Sequence, residues 1–187
     1  MAEHPFPLLD PDAARAAAAA AGIPEIIATV NLLRTTLHQP NVAQVIAAII
    51  DKITLGGSLP VRLKELAILR VGWRLDATYE WSSHYPIAVR AGITDTEVLA
   101  VREGPTAAGL DATARAVLAL VDEVLDDVAV TTATLEDTRA ALGDDGALME
   151  LLVLPGLYRT LATVLKTLSV PLDKGRTAWQ PDGVGPD

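Results

Sequence analysis

The chain has 187 residues, 50% of them hydrophobic but only 4% aromatic, so its core must be built from Ala, Leu, Val and Ile, which suits packed helices and excludes a β-rich fold. No cysteine is present, which removes thiol nucleophiles, disulfides, thiolate metal sites and iron–sulfur clusters together. A net charge of -9 is the wrong sign for nucleic acid or an anionic membrane, and neither is expected as a partner.

Helix punctuation recurs along the chain. Asp10-Pro11 places a cap before a proline at the first helical position, and the alanine run that follows stops at Gly22. Pro24 opens a second predicted helix to about His38, and Asn41 caps a third that reaches Leu55 through Val42, Val45, Ile46, Ile49 and Ile50. Gly56-Gly57 ends it. A fourth runs from Pro60 to about Arg74, with Leu63, Leu66, Ala67 and Val71 at helical spacing. Asp76 is expected to cap a fifth, Ala77 to Ala91, bent at Pro86 and stopped by Gly92. Thr94 and Glu97 form a capping box for a short helix to Glu103, and a long amphipathic helix follows Asp111. Another runs from Thr132 or Thr134 to Leu142, and a last pair of helical pieces flanks Pro155.

The expected organisation is an all-α, single-domain multi-helix bundle. Residues 1–23 form an amino-terminal arm with a short helix, 24–172 the helical domain, and 173–187 a flexible tail rich in Gly, Pro and Asp. The apolar stretch Ala147 to Val170 carries Glu150, Arg159 and Lys166, and is read as buried or oligomer-facing rather than membrane-spanning. So many apolar faces, above all Leu148 to Leu168, predict a homo-oligomer. Met1 to Pro5 lacks the basic and apolar runs of a secretory signal, so the expected location is cytoplasmic.

Chemistry concentrates between Leu59 and Gly92. Glu80 and His84, four residues apart, share one helical face, and the rings of Tyr79, Trp81 and Tyr85 lie beside them as candidate walls of a substrate pocket. Glu65, on the preceding helix, can bring a second carboxylate toward His84. Such a set performs proton transfer: a carboxylate fixes one imidazole nitrogen and the other exchanges a proton. Glu80 is expected to orient and His84 to act; the alternative is a structural pair joining helices. Two ligands make no metal site, since His4 and His38 are distant, and no metal is expected.

The stretch 59–70 (LPVRLKELAILR), then 79–84 (YEWSSH), then Ala88 and Ala91-Gly92-Ile93-Thr94, resembles the carboxymuconolactone decarboxylase family and its alkylhydroperoxidase D type relatives. Leu157-Tyr158, Leu161-Ala162 and Val170-Pro171-Leu172 resemble the closing helix of longer members. The resemblance implies an all-helical fold assembled as a trimer, hexamer or dimer, with Glu65 and His84 at motif positions. Its hydroperoxidase branch places a Cys-x-x-Cys pair where Ala77 and Glu80 stand here, so thiol peroxidase activity does not carry over. What it implies instead is a lyase or isomerase that moves a proton on a small unsaturated lactone or carbonyl acid with no cofactor. Arg70 would then bind the substrate's carboxylate, ahead of Arg62, Arg74 and Arg90. A non-catalytic helical oligomer that keeps the scaffold is the alternative.

Overall fold

The computed structural model describes residues 6–186, so the segment 1–5, with His4, lies outside the described residues. α1 (Pro11–Ala20) starts as expected: Asp10 Oδ1 accepts from the Asp12 and Ala13 N–H groups, and Pro11 fills a position that needs no donor. The single helix expected over 24–38 is instead two, α2 (Glu25–Ala28) and α3 (Asn31–Thr36). Distant side chains cause the break. Asn31 N–H donates to Asp173 Oδ1 at 2.7 Å and Leu32 N–H donates to the Tyr79 hydroxyl at 3.3 Å, so the first donors of α3 are taken from outside the segment.

α4 (Pro40–Ile49) begins at Pro40 with Gln39 as its cap, slightly earlier than the Asn41 start, because proline is preorganised for the first helical residue. It continues into a π-helical turn, Ile50–Leu55, which Gly56 ends. The buried Lys64 Nζ donates to the Gly56 and Thr54 carbonyls at 2.5 and 3.4 Å and holds that turn.

α5 (Val61–Arg74) is the central helix, packed by α6 (Thr78–Arg90), α7 (Asp95–Glu103), α8 (Ala112–Asp127) and α10 (Asp145–Thr167), while α9 (Thr132–Leu142) lies on α8 and α10. Ten successive α5 residues, 63 to 72, are buried, including Lys64, Glu65 and Arg70. Each of the three charged groups has a polar partner, as burial requires. Gly72 permits the close approach of α6: a Cβ there would meet the Trp81 backbone nitrogen at 3.3 Å. Asp76 does not cap α6. It adopts φ 49° and closes α5 in a Schellman-type end, with Ala77 N–H donating to the Gly72 carbonyl at 2.8 Å, and Ala77 becomes the cap. The capping box at Thr94 and Glu97 is present, with both reciprocal bonds.

α10 is one helix rather than two pieces. Leu151, Leu154, Pro155 and Tyr158 are all buried, so packing on both sides of Pro155 outweighs its missing N–H. By length and composition α10 could cross a membrane, yet it packs on α5 and α8, and Glu150, Arg159 and Lys166 bond backbone groups of neighbouring segments. The apolar face expected to need a second subunit is thus largely covered within the chain; Met149 and Val153 stay exposed.

The tail is anchored, not loose. Trp179 meets Trp73 and Trp81 with ring centroids 5.7 and 5.9 Å away, and Trp81 Nε1–H donates to the Gln180 carbonyl at 2.7 Å. Arg102 lies over the Trp73 ring at 4.7 Å and its guanidinium bonds Asp182. Trp179→Ala is therefore expected to cost about 2 kcal/mol, below the range for a fully buried tryptophan because Trp179 is half-buried. A urea midpoint unchanged from wild type would show that the tail contributes nothing to stability.

Candidate active site

The site is assembled from four helical elements. Glu65, from α5, is 1% exposed, and its Oε2 lies 2.8 Å from His84 Nδ1 on α6. Nδ1 donates to the carboxylate, which leaves the Nε2 lone pair on the other side of the ring. There the Tyr158 hydroxyl, from α10, lies 3.2 Å away, and Thr54 Oγ1 of the π-helical turn is 2.9 Å from the same hydroxyl. Burial pushes the Tyr158 phenol up, opposed by the Thr54 bond and reinforced by the Glu65 charge, so it is a neutral donor. The result is one chain, Thr54, Tyr158, His84, Glu65, in which each ring or hydroxyl is held by the next.

His84, Tyr158 and Thr54 line a cavity of about 230 Å³ with Ile27, Val30, Ile50, Tyr79, Glu80 and Ser83 in its wall. A cavity of roughly 150 Å³ already admits benzene, so this one suits a small ring compound. Tyr79 donates to Asp173 Oδ2 at 2.5 Å, and Asp173 and Arg176 bring the tail to the rim. Burial and the Asp173 carboxylate both push the Tyr79 phenol up.

Glu80 differs from the orienting role expected of it. It is 3% exposed and lines the cavity, but both carboxyl oxygens lack a hydrogen-bond partner; Glu65, not Glu80, holds His84. The i, i+4 spacing puts the two on one face, while the α5–α6 crossing hands Nδ1 to the neighbouring helix. Burial drives the Glu80 carboxyl well above the ordinary range, with the Lys166 ammonium opposing. Folding therefore takes up a proton wherever the unfolded carboxyl is ionised. This group's contribution to stability is intact below about pH 4.5, the unfolded value, and is lost as pH rises toward the folded value. Glu80→Gln should flatten the fall in stability as pH rises above about 4.5, measured by urea unfolding at each pH; parallel profiles for the two proteins would contradict it. The groups whose charge bears on Glu80 are Lys166 and Tyr158, both unchanged in the variant.

Three expected substrate contacts are elsewhere. Trp81 is fully buried in the tryptophan cluster under the tail. Tyr85 donates to Asp95 Oδ1 at 2.7 Å, near the start of α7. Arg70 is held by Asp122 through Nε and Nη2 at 2.7 and 2.8 Å and by the Val101 and Arg102 carbonyls, so its charge is committed at the end of α7. Arg62 pairs with Glu97 and Asp111, Arg74 with Asp122 and Asp126, and Arg90 is exposed at the end of α6. Of the expected binding residues Tyr79 alone lines the cavity. Sequence reading missed Thr54, Ser83 and Asp173 as site residues and saw Tyr158 only in the closing-helix pattern. For Thr54 no periodic signal existed, since a π-helical turn leaves the helical spacing.

Residues 40–123 match the model of the carboxymuconolactone decarboxylase family. That segment of the chain is similar to the family. The match spans α4 to α8 and so contains Thr54, Glu65, Glu80 and His84, while Tyr158 and the tail lie beyond it. The fold is also that of the alkylhydroperoxidase AhpD core. An uncharacterized peroxidase-related protein of that type from Ralstonia eutropha JMP134 superposes with a TM-score of 0.74 at 16% identity, over 90% of this chain and 92% of that one. The debrominase Bmp8, as a cysteine-to-alanine variant in complex with 2,3,4-tribromopyrrole, superposes with a TM-score of 0.71 at 18% identity, over 93% and 94%. No curated protein matches the sequence.

Proposed function

We propose that this protein is an enzyme that moves a proton on a small, uncharged, mostly apolar carbonyl compound, as an isomerase or lyase, with His84 as the acid–base group. The observation that carries the reading is the Glu65–His84–Tyr158–Thr54 chain, whose imidazole is fixed on one side and opens on the other into an apolar cavity. Glu65 sets the tautomer; Tyr158 and Thr54 hold the second nitrogen until a substrate takes their place.

The cavity's charges support an uncharged substrate over a carbonyl acid. Glu80 and Asp173 are carboxyl groups in its wall, the arginine that lines it, Arg176, is exposed at the rim, and Arg70 is committed to Asp122. The likeness in fold to a debrominase that holds a small halogenated ring supports the same size class of ligand. That protein was captured with a cysteine replaced; this chain has no cysteine, so no thiol step is carried over.

Carbon-proton exchange tests the reading across a whole class of candidate substrates. Small cyclic ketones, enones and lactones are incubated with the protein in deuterium oxide, and exchange of their acidic C–H positions is followed by NMR. Exchange above the buffer rate that disappears in His84→Ala is expected. Equal exchange with and without protein across the set would overturn the reading.

A further inference from the structure

The polar atoms around the cavity divide into two groups. Thr54, Tyr158 and His84 are bonded in series, and Tyr79 is bonded to Asp173. Glu80 Oε1, Glu80 Oε2 and Ser83 Oγ are buried, belong to residues lining the same cavity and have no hydrogen-bond partner among the described residues. A carboxylate buried without a partner costs several kcal/mol, far more than the acid form, so the group that survives there carries its proton. In that form it is a hydrogen-bond donor with no acceptor among the described residues.

Position supplies the rest. Glu80 and His84 lie one turn apart on α6, which spaces their Cβ atoms by roughly 5–6 Å and lets a ring lie between them. We propose that Glu80 is the donor for the carbonyl oxygen of an uncharged cyclic enone or unsaturated lactone, assisted by Ser83, while His84 faces the acidic C–H of the same ring. This rests on the proton-transfer reading above and names its substrate class.

The electron count closes without a co-reactant. His84 Nε2 takes a proton from the ring carbon, displacing the Tyr158 hydroxyl, whose 3.2 Å bond is the longest in the chain. The C–H electron pair moves into the conjugated system and onto the oxygen. Charge develops there, and the Glu80 hydrogen bond strengthens with it. The imidazolium returns the proton to the carbon at the far end of the conjugated system, the electron pair moves back, and the product is the double-bond isomer. Glu65 holds the imidazole through both steps. A second carboxylate at Glu80 would oppose the developing charge; a neutral acid stabilises it.

The probe is cyclohex-2-enone with a ¹³C-labelled carbonyl, followed by infrared difference spectroscopy on wild type, Glu80→Gln, Glu80→Leu and His84→Ala. At neutral pH the wild type is expected to show a protonated carboxyl band that both Glu80 variants lack. The bound carbonyl stretch should move to lower frequency in wild type, keep most of that shift in Glu80→Gln, whose amide still donates, and lose it in Glu80→Leu with about tenfold weaker binding. No carbonyl shift in wild type, or the same shift in Glu80→Leu, would overturn the proposal even if deuterium exchange proceeds. A shift that depends on Glu80 with no exchange at any carbon would instead overturn the proton-transfer reading and leave Glu80 as the binding donor. His84→Ala separates the two further, since it should stop exchange and preserve the shift.

Discussion

His84→Ala is expected to lower carbon-proton exchange by about 10² to 10⁴-fold, the usual cost of removing one proton-transfer group, while the helical fold persists. The fold persists because α5 and α6 are joined independently by the Gly72 to Trp81 approach. Deleting the imidazole does leave Glu65 buried without its partner, so some stability is lost as well. Glu65→Gln separates the two effects. It keeps a hydrogen-bond acceptor for Nδ1 but removes the charge, so turnover should fall less than in His84→Ala and stability should hardly move. If the pair is only a tie between helices, the order reverses: His84→Ala loses activity in proportion to unfolded protein and no more. Exchange rate per folded molecule, with the folded fraction from circular dichroism, decides between them.

Arg70→Met is expected to have the opposite profile, a loss of about 3–5 kcal/mol in unfolding free energy with exchange per folded molecule unchanged. Arg70 is 6% exposed and bridges α5, α8 and the end of α7 through Asp122 and the Val101 and Arg102 carbonyls. The lower end of the range applies because Asp122 keeps a second partner in Arg74 at 2.7 Å. The Gly104 backbone, at φ 102°, leaves room for the guanidinium: a Cβ there would lie 2.8 Å from Nη2. Urea unfolding measures the first quantity and deuterium exchange the second. An Arg70→Met protein that is as stable as wild type but inactive would restore Arg70 as a substrate anchor.

Arg70 and Glu80 show how the sequence misleads and why. Both sit in the motif that carries the family resemblance, and both belong to residue types that bind substrates. Arg70 is in a run of apolar residues because α5 is buried on every side, and a buried cation in such a helix must find an anion; Asp122, 52 residues on, supplies it. Glu80 and His84 share a helical face by spacing alone, but hydrogen-bond pairing depends on which side chain the neighbouring helix presents, and α5 presents Glu65. Tyr79 was legible as a wall of the pocket; Trp81, expected there too, lies in a cluster completed by a tryptophan from a tail without a periodic pattern.

Composition, the capping signals at Asp10, Thr94 and Asp111, and the helical spacing of apolar residues determined by themselves that this is an all-α bundle, because those signals act over one or two turns. The family motif likewise pointed to Glu65 and His84 from the chain alone, and the fold brings the two within 2.8 Å of each other. Contacts between distant segments could be decided only by the tertiary structure. The break between α2 and α3 follows from Asp173, the unbroken α10 from packing around Pro155, and the placing of Thr54 from a π-helical turn clamped by Lys64. Each of these sets a local preference against a hydrogen bond or buried surface supplied by another part of the chain, and the nonlocal term is the larger.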